Sequence, residues 1–171
     1  AAELAEHNIA LLHELPGVGE NLQDHPDVIL RYLDKAGGSL TTAINLLSIK
    51  FFTKVLFAKN FIFTPTDAGG FIKSSPEQAI PDLQMQFAAI RMQPHGEGLF
   101  TPMRSGYVLH VCHLRPESRG SVKLASNDPF APPRITANYF AKDKELNALV
   151  KGVCLCRTIL NQPAMAAFNG G

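Results

Sequence analysis

Charge is what this chain has least of. Charged residues fill only 18% of its 171 positions, and the net charge is +1. An ordinary soluble domain carries about 25% charged residues, so part of the surface is expected to be covered in its native setting, by a partner domain or a membrane. The near-neutral balance and the absence of any long block of like charge leave no case for a nucleic-acid partner. Three cysteines, Cys112, Cys154 and Cys156, make no disulfide framework. Cys154 and Cys156 sit two apart in a helical pattern and so point in different directions. All three read as small apolar fillers in a reducing compartment, and the expected location is the cytoplasm. Residues Ala1–His7 lack both a basic region and an apolar core, so no signal peptide is expected there. No internal repeat is visible.

Complete chemical motifs are also missing. Gly17-Val18-Gly19 suggests a dinucleotide fingerprint, but the third glycine that such a turn needs is Leu22. The pair reads instead as a turn that requires positive φ. His110 and Cys112 would share one face of a strand and could ligate a metal; no second cluster supplies further ligands, so no metal site is expected. No nucleophile elbow supports a serine hydrolase. His25, after Asp24, is either a cofactor contact or a loop histidine bonded to backbone, and both readings stand.

What is present is a chain that is 46% hydrophobic and long enough for one domain that buries roughly 70% of its unfolded surface. Ala1–His7 reads as the end of a helix with Asn8 at its C-terminal cap, followed by an extended segment, Ile9–Leu15. A chain that opens within a helix is expected to be a piece of a longer one. Strands are expected at Val28–Leu33, Gly70–Lys73, Asp82–Phe87, Tyr107–His113, Val122–Ala125 and Ile135–Ala137. The third shows the clearest alternation, with Leu83, Met85 and Phe87 against Asp82, Gln84 and Gln86. Gly37-Gly38-Ser39 reads as a turn, and Ser118-Arg119-Gly120 as the turn of a hairpin.

Two long helices are expected. One spans Leu40–Phe57, with Ile44, Leu47, Phe51 and Val55 at helical spacing and an apolar continuation to Phe63. Lys50, Lys54 and Lys59 argue against a membrane span. A core helix, a lid near a substrate entrance and a peripheral membrane contact remain open for Leu40–Phe63. The other starts at an Asp143 N-cap, carries the stripe Leu146, Leu149, Val150, Val153 and Leu160, and stops before Pro163. Runs of strands flanked by helices give an α+β fold with a mostly antiparallel sheet.

Two segments go further. One is Leu15-Pro16-Gly17-Val18-Gly19-Glu20-Asn21-Leu22-Gln23-Asp24-His25-Pro26. The other is Leu114–Phe140, with Arg115-Pro116-Glu117-Ser118-Arg119-Gly120, then Asn127-Asp128-Pro129, Pro132-Pro133-Arg134-Ile135 and Asn138-Tyr139-Phe140. Both resemble the glucose–methanol–choline (GMC) oxidoreductase family, especially its choline dehydrogenase-like and alcohol dehydrogenase branch. Asp67-Ala68-Gly69-Gly70-Phe71 and Pro81–Phe87 look like family landmarks in the right order, and Asp143–Ala164 continues the match. The resemblance implies an FAD enzyme that oxidises alcohols to aldehydes by hydride transfer to the flavin. It also implies a chain divided into residues 1–26, a remnant of and crossing from the FAD-binding part, and 27–171, a C-terminally truncated substrate-binding domain.

The family's Gly-x-Gly-x-x-Gly cradle and its His-Pro-x-Gly catalytic segment have no counterpart here: His25-Pro26 runs on into Asp27-Val28, and the last histidine is His113. The resemblance therefore implies no catalytic residue in this stretch, no FAD bound to it alone, no activity alone, and the missing FAD-binding part of the same polypeptide as partner. Asn21, Asp24 and His25 are expected near the flavin. Gln86 takes the place of a histidine found in many relatives and is expected to face a small-molecule alcohol. Leu33 takes the place of the glutamate that holds the charge of choline, with only Asp34 nearby. An uncompensated cation is costly to bury, so a neutral aliphatic or aromatic alcohol is the expected substrate. Choline dehydrogenase proper, and a stand-alone non-catalytic binding module on the same fold, are the alternatives.

Overall fold

The computed structural model describes residues 2–36, 68–89 and 106–171. The turn expected at 37–39 and the helix expected at Leu40–Phe57, with its lid, membrane and core alternatives, lie outside the described residues. The chain divides into two compact units: residues up to Pro26 with Arg115–Asn147, and Asp27–Leu114 with Ala148–Gly171.

The second unit is built on a four-stranded sheet of β1 (Asp27–Leu33), β2 (Ala68–Ile72), β3 (Leu83–Ala88) and β4 (Gly106–His113), in the order β1-β4-β3-β2. Every pairing is antiparallel, as the α+β reading expects. Three strands begin within one residue of their expected starts; β2 begins two residues early, because Ala68-Gly69 pairs with Gln86-Phe87 despite its low strand propensity. β4 is a central strand, and Tyr107, Val108, Leu109 and Val111 are all buried.

Alternation sorts this sheet into two faces. Leu30, Leu83, Met85, Tyr107, Leu109 and Val111 line the apolar one. Along it the Tyr107 ring stacks on Tyr32 at 5.8 Å and meets Phe87 at 5.7 Å. Helix α2 (Asp143–Leu160) buries Leu149, Gly152, Cys156 and Leu160. Of the expected stripe Leu149 and Leu160 are buried, but Leu146 and Val150 are 47% and 51% exposed. The small residues face the sheet because the helix approaches it closely. A Cβ on Gly152 would lie 2.8 Å from Val111 Cγ2 and 3.1 Å from Leu83 Cδ1. Cys156 is fully buried and its thiol is pushed up to about 11 by that burial, whereas Cys154 is exposed and fills no core. Asp143 lies inside the first turn of α2 rather than capping it.

The sequence Asn169-Gly170-Gly171 suggests no structure, yet it runs beside the end of β1. The Gly170 amide donates to Leu33 O at 2.8 Å, and the Leu33 amide donates to Gly171 O at 2.9 Å.

In the first unit, α1 (Ala2–Glu6) ends as expected at Asn8, whose φ is +59°. The Ile9 amide returns to Leu4 O and the Asn8 amide to Ala5 O, the Schellman arrangement. Ile9–Leu15 forms no strand. β5 (Ser121–Lys123) pairs with β6 (Arg134–Thr136), so Ser118-Arg119-Gly120 is not a hairpin turn between β4 and β5. Longer-range partners hold it. Gly120 exchanges two backbone hydrogen bonds with Leu22, at 2.9 and 3.0 Å. The Glu117 and Ser118 amides donate to the buried Glu145 carboxylate at 2.6 and 2.7 Å, and the Ser118 hydroxyl bonds its other oxygen.

The two segments that carry the resemblance therefore meet in this unit. Gly19 has φ +75°, as the turn reading expects, and a Cβ there would sit 2.2 Å from Val122 O. The Val122 amide donates to Gly19 O at 2.8 Å. No helix among the described residues is long and apolar enough to cross a membrane.

Candidate functional site

The second face of the sheet carries the polar side chains that alternation assigns to it. Asp27 stands opposite Cys112, and Cys112 opposite Gln84; in the next row Ile29 stands opposite His110, and His110 opposite Gln86. One row further, Arg31 stands opposite Val108, and Val108 opposite Ala88. Val108 and Ala88 are buried, while Gln86 is exposed and Gln84, His110 and Cys112 are half-buried. The face is thus polar and accessible at one end, while at the other the buried Val108 and Ala88 stand beside Arg31.

Two contacts fix the polar end. His110 Nδ1 lies 2.7 Å from Asp27 Oδ2, which makes the ring nitrogen the donor to the carboxylate. The Cys112 thiol reaches Gln84 Oε1 at 3.9 Å, and burial raises its pKa above the usual thiol value, with Asp27 adding to the effect. It is held as a neutral thiol, not as a thiolate ligand or nucleophile. Among the described residues no group of three His, Cys, Asp or Glu side chains could hold a metal ion.

Gln86, the residue expected to face an alcohol, is exposed on β3 at the accessible end of this face. Leu33 lies on the same face but opposite Gly106, two strands from Gln86 and four residues along. Strand spacing separates the two by roughly 16 Å, too far for one small molecule to touch both. The Leu33 backbone is engaged by Gly170 and Gly171.

Asn21, Asp24 and His25 belong to the other unit and share one exposed loop. Asn21 adopts φ +58°, a left-handed conformation that asparagine tolerates better than most residues. The Asp24 carboxylate accepts from the Tyr139 hydroxyl and, at 2.9 Å, from the His25 amide. The Tyr139 bond, followed by that amide, holds its pKa below the usual carboxylate value. Asn21 and His25 keep their polar side chains at the surface.

Each unit also has a cavity, the first lined in part by Glu3, His13, Glu20 and Lys123, the second apolar. One of about 530 Å³ in the first unit is lined by Leu11, Leu15, Val18, Val122 and Leu124. One of about 440 Å³ in the second lies on the apolar face, among Met85, Phe87, Leu109, Ile159 and Leu160. Neither is lined by Gln86, Leu33, Asn21, Asp24 or His25.

The Asp27–His110 pair is the feature that motif reading misses. Its members lie 83 positions apart, and no local pattern links them. The available signal is their shared face, once the register of β1 on β4 is known.

Comparison with known proteins gives a consistent pattern. Residues 116–170 match the model of the family described as GMC oxidoreductase. An alcohol dehydrogenase [acceptor] of Pseudomonas putida is 36% identical over 170 residues, 97% of this chain and 30% of the relative. An oxygen-dependent choline dehydrogenase of Ectopseudomonas mendocina is 36% identical over 173 residues, 99% of this chain and 30% of the relative. An Aspergillus oryzae RIB40 formate oxidase variant, studied for its FAD modification, superposes with a TM-score of 0.79 at 22% identity. That match covers 99% of this chain and 35% of the oxidase. The chain thus spans about 30% of the length of the curated relatives it matches.

Proposed function

Because the chain belongs to the GMC oxidoreductase family, we propose that it forms the substrate-binding part of a larger FAD-dependent enzyme that oxidises alcohols to aldehydes. The observation that carries this reading is the accessible polar end of the four-stranded sheet, where Gln86 and His110 stand side by side on rigid strands. Strands hold such groups more firmly than loops do. In this reading residues 27–171 form the substrate-binding domain, and residues 1–26 are the crossing from the flavin-binding part.

The substrate is a neutral aliphatic or aromatic alcohol. Leu33 stands too far from Gln86 to meet the same small molecule, so this preference rests on the resemblance, in which Leu33 replaces the glutamate that holds the charge of choline. Gln86 both donates and accepts hydrogen bonds but is no base near neutral pH, so its role is to orient the hydroxyl.

FAD, when bound, supplies the two-electron acceptor. From this chain Asn21 and His25 fit a polar contact with it, since their side chains are exposed. The Asp24 carboxylate is already held by Tyr139 and serves to shape the loop. The partner is the flavin-binding part of the same polypeptide. Support for such a seat comes from exposed apolar residues of the first unit, Leu11, Leu12, Leu15 and Val18, of which Leu12 is 97% exposed.

The 171-residue chain purified alone is expected to carry no stoichiometric flavin and to oxidise no alcohol. Joined in one polypeptide with its flavin-binding part, it is expected to reduce FAD faster with benzyl alcohol or 1-octanol than with choline, read as bleaching of flavin absorbance. Stoichiometric flavin in the lone chain, or choline as the better reductant, would overturn the reading.

A further inference from the structure

The Asp27 carboxylate behind His110 is a built contact to which the reading above gives no role. The His110 ring is held at Nδ1 by Asp27 Oδ2 at 2.7 Å, and its side chain is 20% exposed. A carboxylate can only accept, so Nδ1 carries the hydrogen; in the neutral ring Nε2 then presents a lone pair. A carboxylate behind an imidazole fixes both its tautomer and its orientation. Directly opposite His110 across the β3–β4 ladder stands Gln86, with its Cβ about 5 Å away. Ile29 on β1 is the neighbour on the other side.

The neutral His110 ring thus offers an acceptor nitrogen at the register position directly across from Gln86, whose amide can donate. We propose that His110 Nε2 and the Gln86 amide form a two-point subsite for a hydroxyl group, with His110 accepting its hydrogen and Gln86 donating to its oxygen, and that Asp27 is the positioning residue for His110. The class of ligand follows from this geometry. An alcohol satisfies both partners, an ether satisfies only Gln86, and a quaternary ammonium group satisfies neither. This proposal rests on the reading of the sheet face as the substrate wall.

The test uses the full-length FAD-loaded enzyme, with benzyl alcohol as substrate and benzyl methyl ether as competitive inhibitor. His110→Phe is expected to raise KM for benzyl alcohol about tenfold, the worth of one hydrogen bond, while the inhibition constant of the ether stays unchanged. Asp27→Ala is expected to raise KM about threefold, again sparing the ether, and Asp27→Asn to recover most of the loss, because its amide oxygen still accepts from Nδ1–H. Flavin content and melting temperature report whether each variant has folded; should His110→Phe fail there, His110→Gln, which keeps an acceptor, is compared with Asp27→Ala in the same assay. An equal loss for alcohol and ether, or no change in either, overturns the subsite and leaves the functional reading standing. A wild-type holoenzyme that holds FAD yet oxidises no alcohol overturns both.

Discussion

Glu145 is the most constrained polar residue of the first unit. It is 2% exposed, and its carboxylate accepts from two consecutive amides and from the Ser118 hydroxyl. The same hydroxyl accepts from the Ala141 amide at 3.0 Å. Removing the carboxylate strands at least two buried donors, each worth about 1–3 kcal/mol when left unmade. Glu145→Ala is therefore expected to lower unfolding free energy by about 3 kcal/mol in urea titrations, and Glu145→Gln by less, because one amide oxygen remains to accept. A loss below about 1 kcal/mol for Glu145→Ala would show that the clasp is not needed. Nothing local marks Glu145 for this role. Its partners Glu117 and Ser118 lie 28 and 27 positions away, and in sequence it is one more acid near a helix start.

At the level of elements, what the sequence made legible was what depends on neighbours two to four residues apart. β3 is readable because the buried Leu83 and Met85 alternate with the less buried Gln84 and Gln86. α2 is readable as a helix, but its buried side is not. Size outweighed hydrophobicity there: Gly152 and Cys156 face the sheet while Leu146 and Val150 face outward. Gly152 costs the helix about 1 kcal/mol relative to alanine in propensity, and the close approach to Val111 and Leu83 is what that cost allows. Gly152→Val is expected to destabilise by about 2 kcal/mol through crowding. In a double-mutant cycle with Val111→Ala the two changes should couple by about 1 kcal/mol; strict additivity in thermal denaturation would show that the two do not touch. The candidate site was half legible. Gln86 follows from alternation and resemblance, whereas the partner of His110 depends on strand order and register, which no window of sequence contains.

For the molecule as a whole, titration should reveal how the first unit is tied together. Two exposed pairs join its distant segments: Tyr139 with Asp24, 115 positions apart, and Lys123 with Glu20, 103 apart. The Tyr139 bond depresses the Asp24 pKa below its ordinary 3.8, so this contribution is present above about pH 4 and is lost as pH falls through the folded value. Glu20 raises the Lys123 pKa above its ordinary 10.5, so that contribution is complete below about pH 10 and is lost as pH rises through the folded value. Asp24→Asn is expected to flatten the acid limb of the stability curve below about pH 4 and to leave the alkaline limb unchanged. An unaltered acid limb would remove Asp24 as its source.

The same unit has a consequence for time. It is discontinuous, made of residues up to Pro26 and of Arg115–Asn147, with all of Asp27–Leu114 strung between them. The Leu22–Gly120 bridge, the Gly19–Val122 bond and both exposed pairs form only once that long loop is closed. Loop closure is an entropic toll exacted before any of these contacts can reward it, and it slows folding. During synthesis the segment up to Pro26 has to wait until all of Asp27–Leu114 has left the ribosome before its partner, Arg115–Asn147, can follow. For that interval the chain is exposed to misassembly, and its yield in a cell is set by a race against aggregation as much as by the stability of the finished fold.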